Sequence, residues 1–386
     1  MVNISDDYER ELKLQSKTID WLRFPMALMV IFIHQDPEFL NCENNKSGLL
    51  FNIIASAGSQ VLPRVAVPLF FLISGYLYFY KLKEWNTFQY VKKTKKRFRS
   101  LVLPYFYWNC IAYLVMLAWN FKEVIFRGKS WNKFFDYLQT FNYHIFLDSS
   151  KWDGGWHCFG LFKSIAMTGP IDYPLWFVRN LIVLTLLTPM FHFLIRRIGK
   201  TFILVLGLAY ISNLIAYPLL GMSDVFYFCL GCYMSINNIT IFSCFNRIKR
   251  LAYFSASFFS CLCVYFDVIG NTRVRGVLMP IYVFFGVICV YCFVYNLVSS
   301  HKNIKQFPVL VSSSFFVFSI HTIFINTYAK SSIHVLINYI FRFCPILVSI
   351  IGYIMPPFIV AATCVLIYVC MKKLVPFVLS ALTGNR

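Results

Sequence analysis

About ten apolar stretches follow one another along this chain of 386 residues. A helix needs roughly 20 mostly apolar residues to cross the hydrocarbon core of a bilayer. The stretches of about that length are 18–38, 61–80, 101–120, 173–195, 201–218, 222–236, 251–269, 277–298, 308–328 and 344–371. The sequence therefore predicts an all-α polytopic integral membrane protein, with residues 1–386 forming a single membrane-embedded domain.

Composition excludes an ordinary soluble protein. Hydrophobic residues make up 59% of the chain and charged residues only 13%, whereas soluble domains carry about a quarter charged residues. The first 17 residues, MVNISDDYERELKLQSK, are polar and lack the pattern of a cleavable signal peptide. We expect residues 1–17 to form a cytoplasmic tail and the first apolar stretch to stay in the membrane.

The net charge of +20 is distributed as membrane topology requires. Lysines and arginines cluster at alternate ends of the apolar stretches, most densely in 81–100. Cytoplasmic loops of membrane proteins carry such an excess of Lys and Arg. This predicts that both termini and the basic loop 81–100 are cytoplasmic, that 121–172 is a long outer loop, and that no nucleic acid is bound. Arg273 and Arg275 fall in a short outer loop and do not fit this explanation.

Arg23 and His34 share the apolar sequence DWLRFPMALMVIFIH. Their separation of eleven residues is three helical turns plus about 20°, so both side chains project from one face, about 16 Å apart along the axis. Ionisable groups inside a membrane are costly and usually line a cavity or a substrate path. The alternative interpretation is a snorkelling arginine near the helix end together with one hydrogen-bonded histidine.

The run YVKKTKKRFRS is denser in cations than orientation requires. Its residues include Lys92, Lys93, Arg97 and Arg99. Such a run at a membrane surface attracts anionic lipid headgroups, or the phosphates of a soluble cofactor. Both interpretations stay open from the residues alone.

The thirteen cysteines predict no metal site, because none has His or carboxylate neighbours at ligand spacing. Most lie inside apolar stretches, where cysteine behaves as a small hydrophobic residue. Cys42 and Cys158 fall in predicted outer loops, so a disulfide between them is an open question.

Several sequence blocks together resemble the membrane-bound acyltransferase-3 family. DWLRFPMALMVIFIH is similar to the family's first-helix signature, and PRVAVPLFFLISGYLYF to its second-helix pattern. KKRFRSLVLPYFYWN resembles its basic loop leading into the third helix. YPLWFVRNLIVL, FYFCLGCYMS and SSFFVFSIHTIFI follow in the expected order, so the resemblance covers essentially the whole chain.

The resemblance implies an enzyme of the cell membrane, in bacteria the inner membrane. It would transfer an acyl group, usually acetyl, from acyl-CoA to a hydroxyl of a cell-surface glycan or a related carbohydrate or small-molecule acceptor. In that scheme His34 is the general base, since imidazole suits proton transfer near neutral pH, and Arg23 orients the donor. The residues expected to hold the donor are Arg23, Lys92, Lys93, Arg97 and Arg99.

Further polar residues are expected at the substrate site by their context. They are Asp20, Arg64, Trp176, Arg179 and His321. Asp20 is one turn from Arg23 and can pair with it. The small residues of Ser74-Gly75-Tyr76 favour close helix packing over catalysis.

The competing interpretation is a transporter or flippase of a lipid-linked or small anionic substrate. Buried Arg and His are compatible with it. However, the sequence has no evident repeat in two halves and no pair of broken helices, which many carriers have. A sensor or scaffold would not need the shared face of Arg23 and His34. The pattern therefore favours the enzyme.

Overall fold

The protein is helical apart from one two-stranded sheet, over the residues that the structure describes. The computed structural model describes residues 4–35, 48–82, 84–154, 165–212, 220–300, 307–340 and 343–385. The sheet is antiparallel and pairs β1 (Ser150–Gly154) with β2 (Ile165–Gly169), with Ser150 opposite Gly169. The prediction of an α-helical protein is confirmed except for this sheet, which it missed.

The helices before the sheet are α1 (Ile4–Ile33), α2 (Gly48–Ala55), α3 (Ala66–Phe79), α4 (Thr87–Arg97), α5 (Leu103–Arg127), α6 (Trp131–Gln139) and α7 (His144–Leu147). A π-helical turn (Ser56–Val61) and a 3₁₀ turn (Leu62–Val65) join α2 to α3, and a second π-helical turn (Phe98–Val102) joins α4 to α5.

A 3₁₀ turn (Tyr173–Leu175) leads from the sheet into the second half. Its helices are α8 (Trp176–Leu186), α9 (Thr188–Ile198), α10 (Lys200–Ser212), α11 (Met222–Ile236), α12 (Ile241–Asn246), α13 (Lys249–Val268), α14 (Thr272–Ser300), α15 (Pro308–Ile320), α16 (Asn326–Ile340), α17 (Pro345–Leu374) and α18 (Pro376–Thr383). A π-helical turn (His321–Ile325) joins α15 to α16.

The prediction of a multi-pass membrane protein is confirmed. Within the described residues, five helical segments are long and apolar enough to cross a membrane, or six if the bent pair α8 and α9 is one span. Helices α10, α11 and the Pro308–Ile323 segment are apolar but shorter. The finer predictions, ten crossings with both termini cytoplasmic, stay predictions.

Three predicted segments differ in their local structure. The polar tail is helical from Ile4 and forms the first part of α1. The basic loop 81–100 is mostly the helix α4, which begins where the Asn86 side chain accepts a hydrogen bond from the backbone N–H of Gln89, at 2.9 Å. The predicted outer loop 121–172 contains the end of α5, then α6, α7, β1 and β2. Gly128, at φ +64°, ends α5 in a conformation that glycine adopts without strain.

Two glycines allow α3 and α11 to lie against each other. A Cβ on Gly75 would overlap the backbone carbonyl of Phe228, and a Cβ on Gly231 would overlap that of Leu72. Small residues permit this approach of helix backbones in a membrane. The prediction that Gly75 is a packing point is confirmed, and the contact fixes α3 where it lines the site described next.

Candidate functional site

Two cavities lie one above the other in the helical bundle. The larger, here called the His34 cavity, has a volume of about 800 Å³. The smaller, here called the Arg23 cavity, has a volume of about 360 Å³. Their most informative polar lining residues are His34, Arg64, Lys151, Asp224 and Arg275 in the first, and Arg23, Ser74 and Arg97 in the second.

Helix α1 runs along both cavities. Arg23 and Met26 line the Arg23 cavity, while Val30, Ile33 and His34 line the His34 cavity. One helical face thus supplies both walls, as the eleven-residue separation of Arg23 and His34 predicts. The backbone positions of Arg23 and His34 are about 16 Å apart along the axis of α1.

His34 lies at the carboxyl end of α1, half-buried and at the cavity wall. Its backbone N–H donates to the carbonyls of Val30 and Ile31. Its imidazole contacts the ring of Tyr173 edge to face, with centroids 4.7 Å apart, and stacks on the ring of His321 at 5.3 Å.

Hydrogen bonds from two other segments fix the end of α1. The Asn326 amide donates to the carbonyl of His34 at 3.2 Å. The Ser59 hydroxyl donates to the carbonyl of Gln35 at 3.0 Å. Helix ends leave such carbonyls without partners inside the helix. These bonds therefore satisfy two of them and hold His34 in a defined place.

His321 is buried, and its ring stacks on the ring of His34. Its Nδ1 lies 2.8 Å from the carbonyl oxygen of Phe318, so Nδ1 carries the hydrogen and donates it. The π-helical turn that begins at His321 turns the ring toward α1. His321 is thus brought to the site by its contact with His34, as expected, but it does not line either cavity.

Asp172 is a buried carboxyl that sequence reasoning missed. Its Oδ1 accepts a hydrogen bond from the Thr322 hydroxyl at 3.0 Å, and its backbone N–H donates to the Asn109 side chain at 3.2 Å. Burial raises the pKa of this carboxyl well above its usual range, against the opposing effect of the Thr322 hydrogen bond. Asp172 precedes Tyr173 and Thr322 follows His321, so this bond joins the two segments whose rings contact His34.

The Arg23 cavity is cationic. Arg23 forms the expected pair with Asp20, with Nη1 and Oδ1 3.5 Å apart. Both side chains are partly exposed, at 41% and 33%, so the guanidinium keeps donors for a ligand. Arg97 reaches the same cavity from α4. Two guanidinium groups from distant parts of the sequence therefore line one chamber.

The other cations of the basic run lie elsewhere. Lys93 donates to the backbone carbonyl of Tyr78. Lys92 and Arg99 are exposed and line neither cavity. Of the four predicted donor-binding cations of this run, the structure brings Arg97 into the site and leaves Lys92 and Arg99 at the surface.

Two of the expected substrate residues line the His34 cavity. Arg64 does so and also donates to the Gln60 side chain at 2.9 Å. Trp176 lines it near Trp152 of β1, with ring centroids 6.2 Å apart.

Arg179, also expected to bind substrate, lines neither cavity. It is buried and donates to the Asn180 side chain at 3.1 and 3.0 Å, and to the backbone carbonyl of Leu147. These contacts tie the end of α7 to α8. The sequence of an apolar helix does not show which of its polar residues faces a cavity. The sequence therefore did not distinguish Trp176, which lines the His34 cavity, from Arg179, which lines neither.

Several cavity residues were not found from the sequence. They are Tyr173, Lys151, Trp152, Asp224 and Arg275. Arg275 is one of the two cations that the predicted topology left unexplained. It lines the cavity and pairs with Asp267 at 2.6 Å. Asp224 is buried and accepts hydrogen bonds from the side chains of Asn180 and Ser223 at 2.7 and 2.9 Å. In the sequence, the one sign of this role was that Arg275 did not fit the distribution of cations expected from topology.

No group of His, Cys, Asp and Glu suited to a metal ion occurs in the described part of the chain. Cys42 and Cys158 lie outside the described residues, so the disulfide prediction stays a prediction. The chemistry that the site offers is an imidazole beside a polar chamber, with guanidinium groups in a second chamber below it.

Comparisons with known proteins bear on the family of this chain. One relative, a protein of Rhizobium meliloti (strain 1021) named succinoglycan biosynthesis protein ExoH, is 26% identical over 230 residues, which cover 58% of this chain and 55% of that protein. The chain thus matches about half the length of this curated relative. No solved structure matches. A family model described as an acyltransferase domain matches residues 16–372, nearly the whole chain. The protein is therefore a multi-pass membrane protein that belongs to the acyltransferase-3 family.

Proposed function

We propose that the protein is an O-acyltransferase that moves an acyl group, acetyl in the simplest case, from acyl-CoA to a hydroxyl of a cell-surface glycan. The observation that carries this proposal is the placement of Arg23 and His34 on one helix, at the walls of two stacked cavities. A membrane acyltransferase whose donor and acceptor come from opposite sides needs a path along which the two can meet, and two stacked cavities offer one.

The donor enters from the Arg23 cavity. Arg23 and Arg97 supply guanidinium groups, which bind phosphate oxygens through paired hydrogen bonds. The extended pantetheine arm then runs parallel to α1 toward His34, about 16 Å further along the axis. This end of the bundle is the cytoplasmic one in the proposal, because α4 carries the densest group of cations.

His34 acts as general base on the acceptor. The ring nitrogen takes the proton of the acceptor hydroxyl while the hydroxyl oxygen attacks the thioester carbonyl carbon. The carbon–sulfur bond then breaks, and the CoA thiolate leaves and takes up the proton from the imidazolium. The products are an ester on the acceptor and free CoA thiol. Contacts with Tyr173 and His321 hold the ring in orientation throughout.

The acceptor binds in the His34 cavity. Trp152 and Trp176 offer apolar ring faces, against which the C–H face of a sugar packs. Lys151, Arg64 and Arg275 offer hydrogen-bond donors to its oxygens. The name of the relative, which refers to succinoglycan biosynthesis, supports a polysaccharide acceptor.

Purified protein with acetyl-CoA labelled in its acetyl group and a panel of envelope glycans tests the proposal. We expect alkali-labile label on a glycan, lost in the His34→Ala variant. Glycan that crosses a vesicle membrane without gaining label would instead support the transporter interpretation.

A further inference from the structure

Two aromatic rings are common to both cavities. Phe177 of α8 and Phe318 of α15 line the His34 cavity and also the Arg23 cavity. The ring centroids lie 5.8 Å apart and the planes cross at 73°, an edge-to-face contact. Phe177 is 9% exposed and Phe318 is 4% exposed. The pair therefore lies between the two chambers.

The helices around this pair each pass from one chamber to the other. On α1 the change falls between Met26 and Val30, and on α3 it falls between Pro68 and Phe70. On α8 it falls at Phe177, which both cavities share. The boundary is therefore formed by several helices rather than by a single side chain.

More aromatic rings pack behind the pair. Phe71 contacts Phe177 edge to face at 4.7 Å, and Phe70 contacts it at 5.7 Å. Phe318 in turn lies 6.4 Å from the ring of His321. The pair is thus supported from α3 on one side and connected with the residues around His34 on the other.

We propose that Phe177 and Phe318 form an apolar barrier between the donor chamber and the acceptor chamber. The barrier opens around the narrow pantetheine arm and otherwise keeps the two chambers from joining into one water-filled passage. This proposal rests on the proposed function for the identity of the arm, but the barrier itself can be tested without catalysis.

The physical reason lies in the membrane. Two polar chambers that open to opposite faces of a bilayer would, if they were joined, form a water-filled path through which protons and small ions leak. A hydrophobic constriction closes such a path by excluding water from its narrowest part. Two edge-to-face rings suit this task, because rotation of the side chains separates them without movement of the helices.

The first test measures access. No cysteine lines either cavity within the described residues, so a thiol at the half-buried Ile33, in Ile33→Cys, reports on the His34 cavity. A membrane-impermeant methanethiosulfonate reagent is added to one face of oriented vesicles, and labelling of the residue 33 peptide is followed by mass spectrometry. We expect labelling from the His34 side only, and from both sides once Phe177→Ala and Phe318→Ala are added.

The matched control is Phe316→Ala. Phe316 lies on the same helix as Phe318, is fully buried, packs on Trp108 at 5.4 Å and lines neither cavity. Phe316→Ala removes a buried ring of the same size and should leave the labelling one-sided. Equal labelling of Ile33→Cys from both faces with Phe177 and Phe318 intact would overturn the barrier, and so would one-sided labelling in the double alanine variant.

The second test measures proton leak across vesicles that contain the protein and a pH-sensitive dye, without donor or acceptor. We expect the double variant Phe177→Ala and Phe318→Ala to raise the leak severalfold over the wild type, with Phe318→Leu close to the wild type and Phe316→Ala unchanged. An unchanged leak in the double variant would refute the water-excluding role. One-sided access that the barrier variants abolish, in a protein that transfers no acyl group, would instead retain the barrier and refute the proposed function.

Discussion

Removal of the His34 ring is the most informative single change. The ring contacts Tyr173 and His321, and an aromatic pair contributes about 0.5–1.5 kcal/mol beyond area burial. His34→Ala should therefore cost about 1–3 kcal/mol of folding free energy, which a multi-pass bundle tolerates. A positioned general base contributes about 10²–10⁴ to the rate, so the effect on transfer should far exceed the effect on folding.

The assay is the steady-state rate of acetyl transfer, with donor affinity measured separately. In His34→Ala we expect kcat to fall by about 10²–10⁴ while acetyl-CoA binds as in the wild type. Free imidazole should restore part of the rate, because the missing ring leaves a space open to a cavity of about 800 Å³. In the wild type the rate should rise with pH, since only the neutral ring accepts a proton, and the variant should lose this rise.

A matched control is His192→Ala. His192 is also half-buried and lies against two aromatic rings, those of Phe79 at 5.8 Å and Trp85 at 5.5 Å, but it lines neither cavity. It should keep transfer near the wild-type rate. Near-normal transfer by a folded His34→Ala protein would refute the assignment of His34 as base.

The remaining predictions concern the donor and the support of the site. Arg23→Lys keeps the charge but loses the planar guanidinium, so the KM for acetyl-CoA should rise by about tenfold, which corresponds to about 1.4 kcal/mol, with little change in kcat; an unchanged KM would exclude a donor contact. Arg97→Gln should raise the same KM at low salt, and the difference in KM from the wild type should narrow as added salt screens the attraction between Arg97 and the donor. Arg99→Gln, at the exposed surface, should leave the KM unchanged. Equal KM values for the two variants would favour a role of these cations in topology alone. Asp172→Asn should retain activity near pH 7, because an amide oxygen still accepts the hydrogen bond from the Thr322 hydroxyl. Asp172→Ala leaves that hydroxyl without its acceptor, at a cost of about 1–3 kcal/mol, so its thermal midpoint should fall well below that of Asp172→Asn; equal midpoints would contradict this account.

The sequence predicted the part of the site that one helix determines. The spacing of Arg23 and His34 and the pairing of Asp20 with Arg23 follow from helical periodicity alone, and the structure agrees with both. The close approach at Gly75 follows equally from residue size.

The sequence did not predict what distant segments bring together. Trp152 reaches the His34 cavity only because β1 pairs with β2 beside it, and no local pattern marks that contact. Arg97 and Arg99 belong to the same basic run, yet of the two only Arg97 lines a cavity. Arg97 ends helix α4, whereas Arg99 lies in the π-helical turn that follows and faces the surface. The buried Arg179 shows the converse, a charge that holds segments together rather than a ligand.

The most direct measurement of the central claim is transfer across a membrane of known orientation. Protein is reconstituted in vesicles, labelled acetyl-CoA is supplied to one face only, and glycan to the other. Our account predicts acetylated glycan when the donor is on the Arg23 side and the acceptor is on the His34 side, and none when the two are exchanged. Transfer with the exchanged arrangement alone, or passage of glycan without acetylation, would contradict it.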